Sequence, residues 1–324
     1  MLIVLKVTQC LMVENNYQLY INKASESWIT DRFRTEWYGQ NTNSTYSISN
    51  ADIIWLISPW TWKKLNKNKL KKAKTVCTIH HIDESKFDKY AILDFQERDK
   101  YIDIYHVPSK KSKSQVEKFT DKPIIQIPFW VDPNKFYEIK NKKLLRSKYG
   151  IEEKDFVIGS FQRDTEGHDL KSPKLSKGPD LFIKNLEKIK LKNPKKNVKV
   201  LIAGYRRNYV LSELKKLGID FINFEKPKTK ILNELYNCLD LYIVASRTEG
   251  GPMAILECGL ARVPIISTDV GIASEILNTK SIYNMENFIT AEPDIEYAYN
   301  QASKHSIKIG MEKFSEMFRN LYES

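Results

Sequence analysis

The sequence predicts an α/β protein of two Rossmann-like domains with a cleft between them, and three observations lead there. Short apolar segments alternate with amphipathic helical patterns, as in parallel sheets whose faces are covered by helices. The alternation comes in two series, parted by a polar, lysine-rich passage. The chain has 324 residues, more than a single core comfortably supports.

The first series reads as strands at 2–7 (LIVLKV), 52–58 (DIIWLIS), 75–80 (TVCTIH), 104–109 (IYHVPS) and 124–129 (IIQIPF), with helical patterns at 61–72 and 110–119 among the connections. The passage from Val131 to Asp155 then acts as a linker and an entering helix. The second series has strands at 156–161, 198–204, 220–224, 240–246 and 263–269. Helices at about 178–191, 209–217, 229–238 and 252–261 fill its gaps. The expected division is 1–140, 141–305 and a last helix from 306 that is free to pack on either domain, including back on the first.

Composition narrows the function. Of the 52 basic residues only ten are arginines, and the lysines are spread along the chain, so the net charge of +12 reads as a compositional bias and not as a nucleic-acid surface. No run of eighteen apolar residues is present, and the N-terminus has no leader pattern, so a cytoplasmic protein is expected. The four cysteines, at 10, 77, 238 and 258, form no C-x-x-C pair and suggest neither disulfides nor a metal site. The stretch 58–74 sets Trp60 and Trp62 ahead of seven lysines. It reads equally as an element lying at the inner face of an anionic membrane and as a solvated helix.

The most informative segment is Ser246 to Gly271, SRTEGGPMAILECGLARVPIISTDVG. A strand ends at Ser246, Gly250 and Gly251 allow close backbone approach, and Pro252 suits a helix start. The free amides at that start, from Met253 onward, form an anion site outside the carboxyl end of a strand. Glu257 lies in an apolar helix and needs hydrogen-bond partners there, which the adjacent hydroxyls of a ribose could supply. Glu249 at the loop tip faces whatever lies beyond the phosphates.

With its E-x(7)-E spacing and its VPIISTDVG tail, this segment closely resembles family 4 of the retaining glycosyltransferases, the group 1 enzymes of GT-B fold. HVPSKKSKSQV and IPFWVDPNKF resemble further stretches of that family, with Trp130 where a glycine is usual. The family's glycine pair after the first strand is absent from KVTQCLMVENNYQ, and no contact is carried over to that loop. The resemblance implies transfer of a sugar from a nucleoside-diphosphate sugar, with retention and without a required metal or other cofactor. The acceptor, a glycan, a lipid-linked sugar or a polysaccharide, would lie against the first domain. Arg163 and Lys177, the latter followed by Gly178, would stabilise the leaving diphosphate. His80 is preferred to His81 at the donor sugar. Glu249 would contact sugar hydroxyls, and Glu257 the ribose. The base would sit near Phe224, in the loop that follows it. Two rivals remain: a non-catalytic glycan- or nucleotide-binding relative, and another GT-B enzyme such as a nucleotide-sugar epimerase.

Overall fold

The computed structural model describes residues 16–25, 29–192 and 194–324. The expected strand at 2–7, Cys10 and most of the glycine-free loop lie outside the described residues. The first sheet is built from β1 (Leu19–Ile21), β2 (Ile53–Leu56), β3 (Lys74–Thr78), β4 (Ile104–Val107) and β5 (Ile124–Gln126), all parallel and side by side in that order. Its helices are α1 (Ile29–Gln40), α2 (Lys67–Lys72), α3 (Lys89–Asp99) and α4 (Lys110–Val116). Strands β2 and β4 are buried at every position, as expected of central parallel strands covered on both faces.

The second sheet follows α5 (Lys142–Lys148). Its strands are β6 (Asp155–Ser160), β7 (Asn197–Ala203), β8 (Asp220–Phe224), β9 (Leu241–Val244), β10 (Ile265–Thr268) and β11 (Ile282–Tyr283). They stand in the order β11-β10-β9-β6-β7-β8, again all parallel. The helices α6 (Pro179–Lys192), α7 (Asn208–Lys216), α8 (Thr229–Asn237), α9 (Met253–Leu260), α10 (Ala273–Ile276) and α11 (Ile295–Ser303) cover it. The order turns back between β6 and β9, the kind of switch point beside which α/β sheets bind ligands.

The final helix, α12 (Ile307–Glu323), crosses back to the first sheet. Ile307, Gly310, Met311, Phe314, Met317, Phe318 and Leu321 are buried, a spacing of three and four that lays one apolar stripe inward. Phe318 meets Trp37 edge-on at 5.4 Å, and Phe314 lies 5.1 Å from the Trp55 ring and 5.3 Å from that of Trp130. Trp130 fills the interior where the chain leaves the first domain, and it donates through Nε1 to Glu36 at 2.8 Å. Val131 bridges the return crossing through its backbone: its N–H donates to His305 and its carbonyl accepts from Ile307. The two passages between the domains therefore run side by side.

The stretch 61–72 differs from the single helix expected. A 3-10 turn occupies Pro59–Lys64, and α2 starts afresh at Lys67 because the Asn66 side chain caps the amides of Asn68 and Lys69. Trp62 is buried and donates its indole N–H to the Asp94 carboxylate, so it faces the core; Trp60 is 45% exposed. Lys63 and Lys67 pair with Asp94 and Glu97. Among the described residues no helix is long and apolar enough to cross a membrane.

Candidate active site

The loop between β9 and α9 is held by close backbone packing. A Cβ at Gly250 would lie 1.6 Å from the His80 carbonyl oxygen of the first domain, and one at Gly251 would sit 3.3 Å from Pro108. Gly271, with φ +51°, has the Gly250 carbonyl oxygen 2.3 Å from where its Cβ would be. The glycines thus press the loop against the carboxyl ends of β3 and β4 as well as against the turn after β10.

A second loop, Leu175–Gly178, is stitched onto the first. The amides of Arg247 and Thr248 donate to the Ser176 carbonyl at 2.8 and 3.1 Å. Gly178 takes φ +60° and has the Ala245 carbonyl where a Cβ would stand. Gln162 donates to the Lys177 carbonyl at 2.8 Å and accepts from Ser246 at 3.2 Å. This brings the Lys177 ammonium onto Glu249 as an ion pair, with the Ser246 hydroxyl donating to the same carboxylate oxygen at 3.2 Å. Burial alone would raise the Glu249 pKa, but Lys177, through charge and hydrogen bond, holds it below the usual carboxylate range. Glu249 is therefore an anion at neutral pH.

Other positive groups adjoin this pair. Burial, together with the charges of Lys177 and Arg163, lowers the pKa of Lys174, so the three cations share one neighbourhood. Arg163 leaves β6 with its Nε donating to the Thr165 carbonyl at 2.9 Å. Below them Arg207, itself buried, braces the loop through Asp164 at 2.7 Å and the Ser160 and Ala203 carbonyls. In the sequence Lys174 lacks the following glycine that marks Lys177, so it is the structure that brings it into this group.

His80 stands at the end of β3, its Nε2 2.8 Å from the Ile57 carbonyl and its ring stacked on Phe129. Burial pushes its pKa down to about 4, so the ring is neutral at pH 7 and Nε2 donates to the carbonyl. His81, set aside in the sequence reading, is the histidine whose charge balance couples directly to Glu249: burial lowers its pKa and Glu249 opposes that. Both histidines line a cavity of about 390 Å³ in the first domain together with Trp60.

A larger cavity, about 690 Å³, opens between the carboxyl ends of the two sheets. Glu249, Val270 and Gly271 bound it on one side, and residues 82–86 with Lys111 on the other. Lys86–Glu166 at 3.3 Å and Lys111–Asp269 at 2.6 Å tie its two walls together.

Glu257 lies one turn into α9 and is 5% exposed. Its two oxygens accept from Arg32 at 2.8 Å and from the Tyr236 hydroxyl at 2.9 Å. The partners its burial demands are thus already present within the protein. Phe224 closes β8 at the far edge of the sheet, its ring edge-on to Tyr149 at 5.4 Å and its carbonyl accepting from Gly204. Met253 packs against the cores of both domains at the start of α9. Of the residues singled out in the sequence, Glu249, Gly250, Gly251, Lys177, Arg163 and His80 converge, while Glu257 and Phe224 mark positions along the same sheet end. No group of three or more His, Cys, Asp or Glu side chains with metal-binding geometry occurs among the described residues.

Residues 171–304 match a family model described as glycosyl transferases group 1. The chain is similar to an uncharacterized glycosyltransferase of Methanocaldococcus jannaschii, 24% identical over 59% of this chain and 46% of that one. It is also similar to the lipopolysaccharide core biosynthesis mannosyltransferase LpsB of Rhizobium meliloti, 29% identical over 49% of this chain and 44% of the relative. It spans less than half the length of both. Among solved structures, Anabaena HepE in complex with UDP-glucose superposes with a TM-score of 0.72 at 13% identity, over 94% of this chain and 99% of that one. A glycosyltransferase from Rickettsia africae superposes with a TM-score of 0.64 at 17% identity, over 95% and 99%. These likenesses, at such identities, concern the fold.

Proposed function

On the premise that the chain carries a group 1 glycosyltransferase domain within a GT-B fold, we propose that it transfers a sugar from a nucleoside-diphosphate sugar to an acceptor hydroxyl, with retention and without a metal. The observation that carries this is the Lys177–Glu249 ion pair at the carboxyl end of β9, with Arg163 and Lys174 beside it. Such an array neutralises a departing diphosphate from the protein's own charges. HepE has been solved with UDP and with UDP-glucose, which supports a nucleotide sugar as donor.

In this reading the diphosphate rests against Arg163, Lys177 and the amides of Gly250, Gly251 and Met253, Pro252 having no N–H to give. The base lies beyond Phe224, and the ribose reaches Glu257. Glu249 is engaged by Lys177 and Ser246, which suits it to holding sugar hydroxyls and stabilising positive charge at the anomeric carbon. The bond between the anomeric carbon and the bridging phosphate oxygen breaks as the acceptor oxygen attaches on the same face. The acceptor proton passes to the departing phosphate oxygen, which Lys177 and Arg163 keep charged and close. His80, neutral and with its Nε2–H committed to the Ile57 carbonyl, orients the sugar or acceptor and takes no part in proton transfer. The acceptor approaches from the first-domain side of the cleft.

A melting-temperature panel of UDP, GDP, ADP and CMP sugars, run with and without EDTA, tests the donor site. At least one nucleotide should stabilise the protein equally under both conditions. Glu257→Gln should then weaken that nucleotide by about tenfold, the loss of one charged hydrogen-bonding group. If no nucleotide stabilises the protein, the donor site is wrongly assigned; stabilisation that disappears with EDTA refutes metal independence.

A further inference from the structure

We propose that Arg32 is a positioning residue of the donor site, supplied by the first domain, that orients the Glu257 carboxylate for the ribose and thereby couples nucleotide binding to closure of the two domains. This rests on the proposed function of Glu257. Arg32 lies in α1, and its Nη1 donates to Glu257 Oε1 at 2.8 Å across the cleft. The Tyr236 hydroxyl, from α8 of the second domain, takes the other carboxylate oxygen at 2.9 Å. A carboxylate has about four lone-pair sites, so these two bonds leave capacity for two ribose hydroxyls while fixing the plane in which they must approach. Glu257 is 6% exposed in its side chain and Arg32 23%, so the pair is sheltered on the carboxylate side and open on the guanidinium side.

The anchoring of Arg32 runs to the interdomain crossing. Its Nε stands 3.8 Å from Glu36, outside hydrogen-bond reach, and makes no hydrogen bond among the described residues. Glu36 is held by Trp130 Nε1 at 2.8 Å and by Lys135 at 2.7 Å, both on the segment that leaves the first domain. Lys135 and Trp130 therefore fix Glu36, Glu36 steers Arg32, and Arg32 sets Glu257. Opening the domains would break the Arg32–Glu257 ion pair and leave Tyr236 as the carboxylate's remaining side-chain partner, so the pair favours the closed arrangement. A ribose bound to Glu257 adds its own hydrogen bonds to that same closed state.

The test compares the best-binding nucleoside diphosphate of the panel with its 2′,3′-dideoxy form by isothermal titration, on wild type, Arg32→Gln, Arg32→Lys and Tyr236→Phe. The wild type should prefer the ribonucleotide by at least tenfold. Arg32→Gln should narrow that preference to about twofold, and Arg32→Lys, keeping the charge without the fork, should recover part of it. A merely structural role would lower the melting temperature and leave the preference intact. Undiminished preference in folded Arg32→Gln overturns the assignment; should that variant not fold, undiminished preference in both Arg32→Lys and Tyr236→Phe overturns it equally. Absence of any nucleotide binding to wild type overturns the donor site itself, and Arg32's role with it.

Discussion

Lys177→Ala is expected to reduce sugar transfer by about 10²–10³-fold while leaving the fold intact, the usual consequence of removing one preorganised group that meets developing negative charge. The ammonium sits on Glu249 and shares its surroundings with Arg163 and Lys174. Its removal deprives the departing phosphate of a donor and leaves Glu249 without the charge that holds its pKa down. The companion change, Glu249→Gln, is expected to reduce turnover to a similar degree and to leave free nucleotide affinity within about twofold, since the proposed arrangement sets Glu249 against the sugar and the reacting carbon and not against the nucleotide. Steady-state rates with the best donor, paired with nucleotide titration, check both. Loss of nucleotide affinity in Glu249→Gln as large as the loss of turnover would show that the two glutamates do not divide the work as assigned.

The second large effect is expected at Gly178. An alanine there must adopt φ +60° and place its Cβ 1.7 Å from the Ala245 carbonyl oxygen, so the Leu175–Gly178 loop has to leave the strand end. A left-handed backbone costs about 1–2 kcal/mol for a non-glycine residue, and displacing the stitched loop adds to it, giving a total of at least ~2 kcal/mol. Lys177 moves with the loop, so turnover should fall along with stability. Gly150 is the control: it has φ +66° with nothing near a Cβ, and Gly150→Ala should lose only about 1 kcal/mol and keep full turnover. Urea unfolding and donor turnover on the two variants separate these outcomes. Equal behaviour of Gly178→Ala and Gly150→Ala would mean that the contact with Ala245 does not position Lys177.

How much of this was legible depends on where each signal resides. Most second-domain strands were readable because β6, β7, β9 and β10 are largely buried parallel strands bounded by polar turns, while β8, an edge strand with no buried residue, was marked by its two phenylalanines and isoleucine; all five fall where the sequence placed them. The glycines around Glu249 were readable as residues that make room, although the sequence did not show that the room is taken by the His80 carbonyl. By contrast, β1 is three residues long among polar neighbours, and α1 is rich in charge and turns only Thr30, Phe33 and Trp37 inward. Neither has a periodicity strong enough to stand out, and the partner of Glu257 was missed because Arg32 lies on α1, 225 residues away along the chain. Long-range pairing of this kind is a property of the assembled fold. The break at Asn66 was legible in principle, since an asparagine between two lysine-rich turns is a cap, but the apolar spacing of 61–72 masked it. Trp62, grouped with Trp60 by proximity, turns inward because its indole finds Asp94 on α3.

The most direct measurement is the release of nucleoside diphosphate from a panel of UDP, GDP and ADP sugars, with wild type and Lys177→Ala side by side. Consumption of at least one sugar nucleotide by wild type above the buffer rate, suppressed about 10²-fold or more in Lys177→Ala, is the expected result. Consumption that persists undiminished in the variant, or none by wild type even with the nucleotide that stabilises it, would contradict a transferase centred on Lys177 and Glu249.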